Sequence, residues 1–323
     1  MMNYPISDHF DGRKFRNLDP TAHSDKNLWD IIKWRWSARP KPWPLWIDNM
    51  HLPNIASDVS LNEVSVTFIN HSTCLVQLNG INILTDPVFS ARVSPFSFIG
   101  PRRRRFPGIA LDSLPRIDVV TISHNHYDHL DVGSLAALNA RFSPLFITPL
   151  NNASLLKEVG IDQCIELDWW QERPLMNGKI ALVPAQHWSA RGIFDRCKAL
   201  WGGFIYQFGG ITIYFAGDTG YNTHFKTIYE KYGAPDISLL PIGVYEPRWF
   251  MQKQHMNPED AVKAHLDLKS KFSMGIHQGT FQLSDEGQKD PANSLQEHLI
   301  RYKVDPERFI SPENGQTVSS QNL

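Results

Sequence analysis

The segment His124-Asn125-His126-Tyr127-Asp128-His129 packs three imidazoles and one carboxylate into six residues. Such a group is costly to bury unless a cation compensates it. If the segment leaves a strand as a loop, His124 and His126 can point one way and grip one cation. The next turn can bring Asp128 and His129 toward a second. Zinc accepts both nitrogen and oxygen ligands, and the donor set leaves manganese(II) and iron(II) open. Four side chains cannot complete two metal sites, so further ligands are expected downstream at strand ends. His187 in PAQHWS, Asp218 in FAGDTG and His277 in MGIHQGTF each follow a strand-like run and are flanked by loop formers. Asp218 is the natural bridge, because one carboxylate can bind two cations about 3.5–4 Å apart.

The elements that must carry these residues are strand-rich from Val64 onward. Val64–Ile69 and Thr73–Leu78 are β-prone, Asn79-Gly80 is a tight-hairpin signal, and Ile81–Thr85 returns. A strand over Asp118–Ser123 runs directly into the histidine segment, and a helix is expected from about Val132 to Ala140. Further strands fit Lys179–Pro184, Gly203–Phe208, Ile211–Ala216 and Ile237–Pro241. Helices fit His224–Tyr232, Pro258–Leu268 and Ser294–Lys303, with Pro258 after Asn257 as a start signal. Strands first in hairpins and then alternating with helices predict an α/β fold of sheets covered by helices.

Composition narrows the function classes. The 323 residues carry 32 Lys+Arg against 33 Asp+Glu, a formal net charge of -1, which excludes a globally basic nucleic-acid binder. Cys74, Cys164 and Cys197 are too few and scattered for a disulfide framework or a thiolate zinc cage. Apolar runs such as Ile117–Ile122 are far short of a membrane span, and the acidic first thirty residues lack a secretory core. A cytoplasmic protein, with peripheral membrane contact allowed, is the expectation.

Residues 1–60 read as an arm on a main domain over 61–323. The arm holds Trp29, Trp34, Trp36, Trp43 and Trp46, and Pro40, Pro42 and Pro44 demand an extended segment. Trp29, Ile32 and Trp36 share one face of a short helix. That face suits packing on the body or, with Lys33, Arg35 and Arg39, an interfacial membrane contact. Arg102–Arg105, near Phe96, Phe98 and Phe106, reads as a solvated loop or as a contact for phospholipid headgroups.

The HxHxDH segment, His187, Asp218, His277 and LTDP at Leu84–Pro87 resemble the metallo-β-lactamase fold superfamily. More narrowly, INHSTCLVQLNGINILTDPVFS, ELDWW, PAQHW, LWGG, FAGDTGY, PIGVYEPRWFM and HMNPEDAV are similar, in that order, to the N-acylphosphatidylethanolamine-hydrolysing phospholipase D family. The likeness runs from about Val64 to near Gly315. It implies an αββα sandwich of two mixed sheets flanked by helices, with a dinuclear zinc site at one edge. By that resemblance His124, His126 and His187 bind one zinc, Asp128, His129 and His277 the other, and Asp218 bridges. Asp86 and Asp131 fall where carboxylates orient ligand imidazoles; alone, they read as a turn residue and a helix N-cap. His71 lies in a matching motif, as a hydrogen-bonding or a functional residue. His255 matches a histidine near the substrate, as a phosphate contact or a proton donor. Gln278 departs from the family, whose animal member has an aromatic there. The family's arm helps assembly and shapes the lipid entry, which allows a homodimer.

Two cations sharing a water lower its pKa from 15.7 toward roughly 7, supplying hydroxide at neutral pH. The resemblance implies attack at the phosphorus of a phospholipid diester, releasing N-acylethanolamine and leaving phosphatidic acid, with Asp128 and His255 as the candidate catalytic residues. Nucleic acid is not expected as a partner. A lactonase or organophosphate hydrolase of the same fold, or a non-catalytic membrane-associated binding protein, are the alternatives.

Overall fold

The computed structural model describes residues 4–19, 28–51, 53 and 63–320. In chain order, β1 (Val64–Asn70), β2 (Thr73–Leu78), β3 (Ile81–Thr85), β4 (Val119–Thr121), β5 (Leu145–Pro149) and β6 (Cys164–Leu167) form the first sheet. Strand β14 (Thr317–Ser319) joins it beside β1. The second sheet takes β7 (Glu172–Leu175), β8 (Gly178–Val183), β9 (Gly203–Phe208), β10 (Ile211–Phe215), β11 (Ile237–Pro241), β12 (Phe272–Ile276) and β13 (Phe309–Ile310). Each sheet starts antiparallel and continues parallel, the change falling at β3 and at β10. The hairpin at Asn79-Gly80 forms as its sequence demands: both residues have positive φ, 53° and 80°, and Leu78 faces Ile81.

Facing surfaces of the sheets share one buried core. Phe68, Val76 and Ile83 meet Ile180, Tyr206, Phe215, Leu239 and Met274 there. The outer face of the first sheet buries Leu75, Leu84 and Val120 under α2 (Val132–Phe142) and α3 (Ala153–Lys157). That of the second buries Tyr214 and Leu240 under α4 (His224–Tyr232), α6 (Pro258–Leu268) and α7 (Asp290–Tyr302). Because helices cover the outer faces, the central strands β4, β11 and β12 are buried on both sides, and each buried aliphatic contributes about 1.5–3 kcal/mol. The layers are therefore helix, sheet, sheet, helix.

The expected elements are present with small shifts of boundary. The strand into the histidine segment is only Val119–Thr121, because the Ser123 amide leaves the ladder to meet the Asp86 carboxylate. Helix α7 starts at Asp290 rather than Ser294; Pro291 sits in its first turn, where a missing N–H costs nothing. Helix α6 starts as read, with Asn257 and Asp260 bonding each other's backbone amides.

The tryptophan-rich segment departs from a simple packed arm. Helix α1 (Leu28–Ser37) leaves Trp29, Ile32 and Trp36 in solvent, while Trp34 stacks on Phe250 at 4.8 Å. The proline-rich stretch is extended and tied down by Lys41 N–H to Asp285 O and Trp43 Nε1 to Glu286 O. Phe10 and Phe15, earlier in the chain, enter the inter-sheet core. The arginine run is not a uniformly solvated loop. Arg103 and Arg105 are buried, donating to the Val88 and Ser90 carbonyls and to Glu313 and Asn49 respectively; Arg102 is exposed and Arg104 half-buried. Among the described residues no helix is long and apolar enough to cross a membrane.

Candidate metal centre

One edge of the sandwich collects the C-terminal ends of β3, β4, β8, β10 and β12, and the loops leaving them carry Asp86, His124–His129, His187, Asp218 and His277. His71 joins from the β1–β2 turn and His255 from the segment between α5 (Arg248–Met251) and α6. The backbone is bent to serve this edge. His71, Asp86 and His277 all have left-handed φ, 46°, 34° and 59°, a strain that clusters at functional sites. Gly217, at φ 60°, lies so close to Ser123 that a Cβ would stand 2.6 Å from its Cβ; only glycine lets Asp218 approach the histidine loop.

The side chains form two adjoining groups. His124 Nε2 lies 2.8 Å from His126 Nδ1, which lies 3.3 Å from His187 Nε2. Asp128 Oδ2 lies 3.6 Å from His129 Nε2 and 3.4 Å from His277 Nε2. Asp218 stands between them: Oδ2 is 3.9 Å from His124 Nε2, 3.7 Å from His187 Nε2 and 3.2 Å from His129 Nε2, while Oδ1 is 3.1 Å from His277 Nε2. The donor atoms of His124, His126 and His187 are close enough together to hold one ion, as are those of Asp128, His129 and His277 with His71.

Outer contacts fix how these rings point. Asp86 accepts from His129 Nδ1 at 2.6 Å, from Ser123 N–H at 2.7 Å and from Ser123 Oγ at 2.6 Å. His124 Nδ1 meets Ser123 Oγ and His187 Nδ1 the Gln254 carbonyl, leaving both Nε2 atoms inward. His71 Nε2 lies 3.1 Å from Asp128 Oδ2, so it steadies that carboxylate. His255 overlooks the centre, its Nδ1 3.8 Å from Asp218 Oδ2 and its ring beside those of His187 and His277. Asp131 is the correction: its carboxylate accepts from Ser90 N–H, Ser90 Oγ and Ser134 Oγ, tying the loop after β3 to α2. It sits at the helix N-cap position but makes no side-chain cap, and among the described residues its hydrogen-bond donors are backbone amides and serine hydroxyls rather than an imidazole.

The donor set fits cations. His277 Nε2 lies 3.1 Å from Asp218 Oδ1, and these two atoms and His129 Nε2 are buried close to one another without hydrogen-bond geometry among the described residues. Buried polar atoms in that condition are costly unless an ion completes them. Burial pushes His124 well below its usual pKa, and takes His126 to about 4 and His187 to about 3, leaving them neutral and ready to ligate. Burial also opposes charge on His129 and His277, but the Asp218 and Asp128 carboxylates outweigh it and raise both, His277 to about 9. Protons on those two rings hold the place of positive charge that a cation takes over.

Sequence reasoning left four supporting residues without a role. Ser123 lies beside the histidine motif, yet nothing in its position announces the bond to Asp86. Gln254 acts through its carbonyl, which side-chain type does not reveal. Arg191 bridges the Asn125 and Leu130 carbonyls and stacks on Tyr127 at 3.9 Å, closing the histidine loop. Asn17 reaches His187 from 170 residues away.

Comparison places this architecture. A family model described as a β-lactamase superfamily domain matches residues 81–278. The chain belongs to that superfamily, in its metallo-β-lactamase fold, and is a metal-dependent hydrolase. It is 36% identical over 278 residues to N-acyl-phosphatidylethanolamine-hydrolyzing phospholipase D 1 of Caenorhabditis elegans, covering 81% of this chain and 78% of the relative. Against the mitochondrial N-acyl-phosphatidylethanolamine-hydrolyzing phospholipase D of Saccharomyces cerevisiae it is 35% identical over 280 residues, 84% of this chain and 59% of the relative. Igni18, a metallo hydrolase from the archaeon Ignicoccus hospitalis, superposes with a TM-score of 0.60 at 25% identity, over 80% of this chain and 98% of that one.

Proposed function

We propose that the chain is a dinuclear zinc phosphodiesterase that cleaves N-acylphosphatidylethanolamine-like phospholipids to N-acylethanolamine and phosphatidic acid. The observation that carries the reading is Asp218, which stands between the two groups: Oδ2 lies 3.7 Å from His187 Nε2 and 3.2 Å from His129 Nε2, and Oδ1 lies 3.1 Å from His277 Nε2. His124, His126 and His187 would hold one ion, Asp128, His129 and His277 the other, and Asp218 both. Two such ions supply Lewis acidity and a water acidified toward neutral pKa. The chain's own residues do the rest. Asp86 and Gln254 orient His129 and His187; His71 steadies Asp128. His255, above the centre, meets the phosphate through a ring N–H or, in its imidazolium form, delivers a proton to the departing alcohol and is left neutral.

The names of the relatives support the lipid substrate. Exposed Ile193 and Phe194, a few residues beyond His187, support access from a membrane surface. The test is incubation of zinc-loaded protein with dispersed N-acylphosphatidylethanolamine. Release of N-acylethanolamine by the wild type and not by Asp128→Asn is the expected result. Failure on this lipid and on simpler phosphodiesters would refute the proposal; turnover of lactones or phosphotriesters instead would favour the alternative hydrolases.

A further inference from the structure

We infer that Asn17, on the N-terminal arm, is a positioning residue of the metal centre, because its carboxamide holds the backbone of His187 on both sides. The inference rests on the proposed function in one respect, that His187 ligates an ion.

The chain delivers Asn17 by a small hairpin. Asp11 N–H bonds Lys14 O, Arg16 N–H bonds His9 O, and Phe10 pairs antiparallel with Phe15. Gly12 has φ 91°, and the Asp11 side chain accepts from the Arg13 and Lys14 amides, which closes the turn. Phe10 and Phe15 put their rings 4.5 Å apart inside the inter-sheet core. Phe15 N–H bonds Cys197 O, and His9 stacks on Trp169 at 4.5 Å. The hairpin is therefore fixed before the chain reaches Asn17, which is itself buried.

There Asn17 Nδ2 donates to the His187 carbonyl at 3.0 Å, and Asn17 Oδ1 accepts the His187 N–H at 3.1 Å. The same oxygen accepts Trp201 Nε1 at 3.2 Å. One side chain thus does for His187 what a neighbouring strand does for a strand residue. His187 has left β8, is buried, and among the described residues has no other partner for these two groups, so without Asn17 both would lack one. Gln254 fixes the imidazole and Asn17 fixes the peptide that carries it. Together they define where Nε2 stands, and a ligand displaced by about half an ångström no longer serves its ion well. Asn17, His187 and Gln254 also line one cleft of about 260 Å³ with Lys14, Arg16 and Arg196, so the arm forms a wall beside the centre.

The experiment compares full-length wild type, Asn17→Ala and the near-isosteric Asn17→Asp, with Arg13→Ala as an exposed control. Cobalt(II) and zinc titrations, the cobalt visible spectrum, and hydrogen exchange of the 185–189 amides in metal-free protein are the readouts. The expected result is selective: one equivalent binds as in wild type, and the other binds 10- to 100-fold more weakly, as for loss of an outer contact to a ligand. The cobalt spectrum changes and the 185–189 amides lose protection. Arg13→Ala matches wild type. Asn17→Asp keeps size and acceptor but loses the donor, so it reports on the bond if Asn17→Ala folds poorly. Two wild-type affinities in Asn17→Asp, or equal weakening of both sites, would overturn the inference. Wild type that binds less than one equivalent would overturn the proposed function first and this inference with it.

Discussion

Asp86→Asn tests how the fold holds the imidazole of His129, a candidate metal ligand. In the wild type one carboxylate serves three buried donors: Oδ2 takes His129 Nδ1 and Ser123 Oγ, and Oδ1 takes the Ser123 N–H. Asparagine has the same shape but only one acceptor. With its oxygen toward His129, its NH2 faces the Ser123 N–H and leaves that amide unpaired, which costs about 1–3 kcal/mol. The two remaining bonds lose their charge assistance, worth roughly half their strength. Relief of the carboxylate's own burial, which pushes its pKa up, offsets part of this. The net loss is about 1–3 kcal/mol, a fall in Tm of roughly 1.5–4.5 °C for metal-free protein. His129 then points less firmly, and zinc affinity falls about 10- to 100-fold. Calorimetric melts of the metal-free chain and zinc titration against a chelator measure both. A variant that melts within a degree of wild type and binds zinc equally well would refute this account of Asp86.

Three further outcomes follow from other contacts. Burial alone would lower the pKa of His9, but bonds to Asp168 and Asp8 raise it above 6.5. Protonated His9 therefore stabilises the folded hairpin below about pH 6.5, and that stabilisation is lost as pH rises through the raised value. The Tm gap between wild type and His9→Gln should shrink from pH 6 to pH 9, and a constant gap would contradict the assignment. Arg103→Ala should cost about 2–4 kcal/mol in urea unfolding, because loss of the buried guanidinium leaves two carbonyls unpaired, whereas Arg102→Ala should stay within about 0.5 kcal/mol. Gly217→Ala should lower stability by about 1–3 kcal/mol and weaken zinc binding at both sites, since its φ of 60° and its approach to Ser123 exclude a Cβ; normal zinc titration would refute the latter.

Much of the fold was legible because periodicity and punctuation agreed with it. Asn79-Gly80 marked its hairpin, and Asn257-Pro258 marked the start of α6. Short strands such as Cys164–Leu167 and Glu172–Leu175 are only four residues long and set up no readable pattern, and they pair because β5 and β8 offer edges. Metal-type residues were legible from composition at strand ends, since His and Asp buried side by side are costly unless a cation holds them. What supports them was less so. Asp86 could be named but Asp131 misled, because a carboxylate beside a helix start has the same local pattern whether it faces an imidazole or a serine loop. Arg103 and Arg105 looked solvated because a run of charges carries no record of the carbonyls and the carboxylate waiting for alternate members. Asn17 was invisible, as its partner lies across the fold and the bond is to backbone.

Attack at phosphorus is tested most directly by hydrolysis of dispersed N-acylphosphatidylethanolamine in ¹⁸O-water. Zinc-loaded wild type should place one ¹⁸O in the phosphate of phosphatidic acid and none in the N-acylethanolamine, and the zinc-free chain should place none in either. Label in the released alcohol, or no cleavage by protein holding two zinc equivalents, would contradict the account.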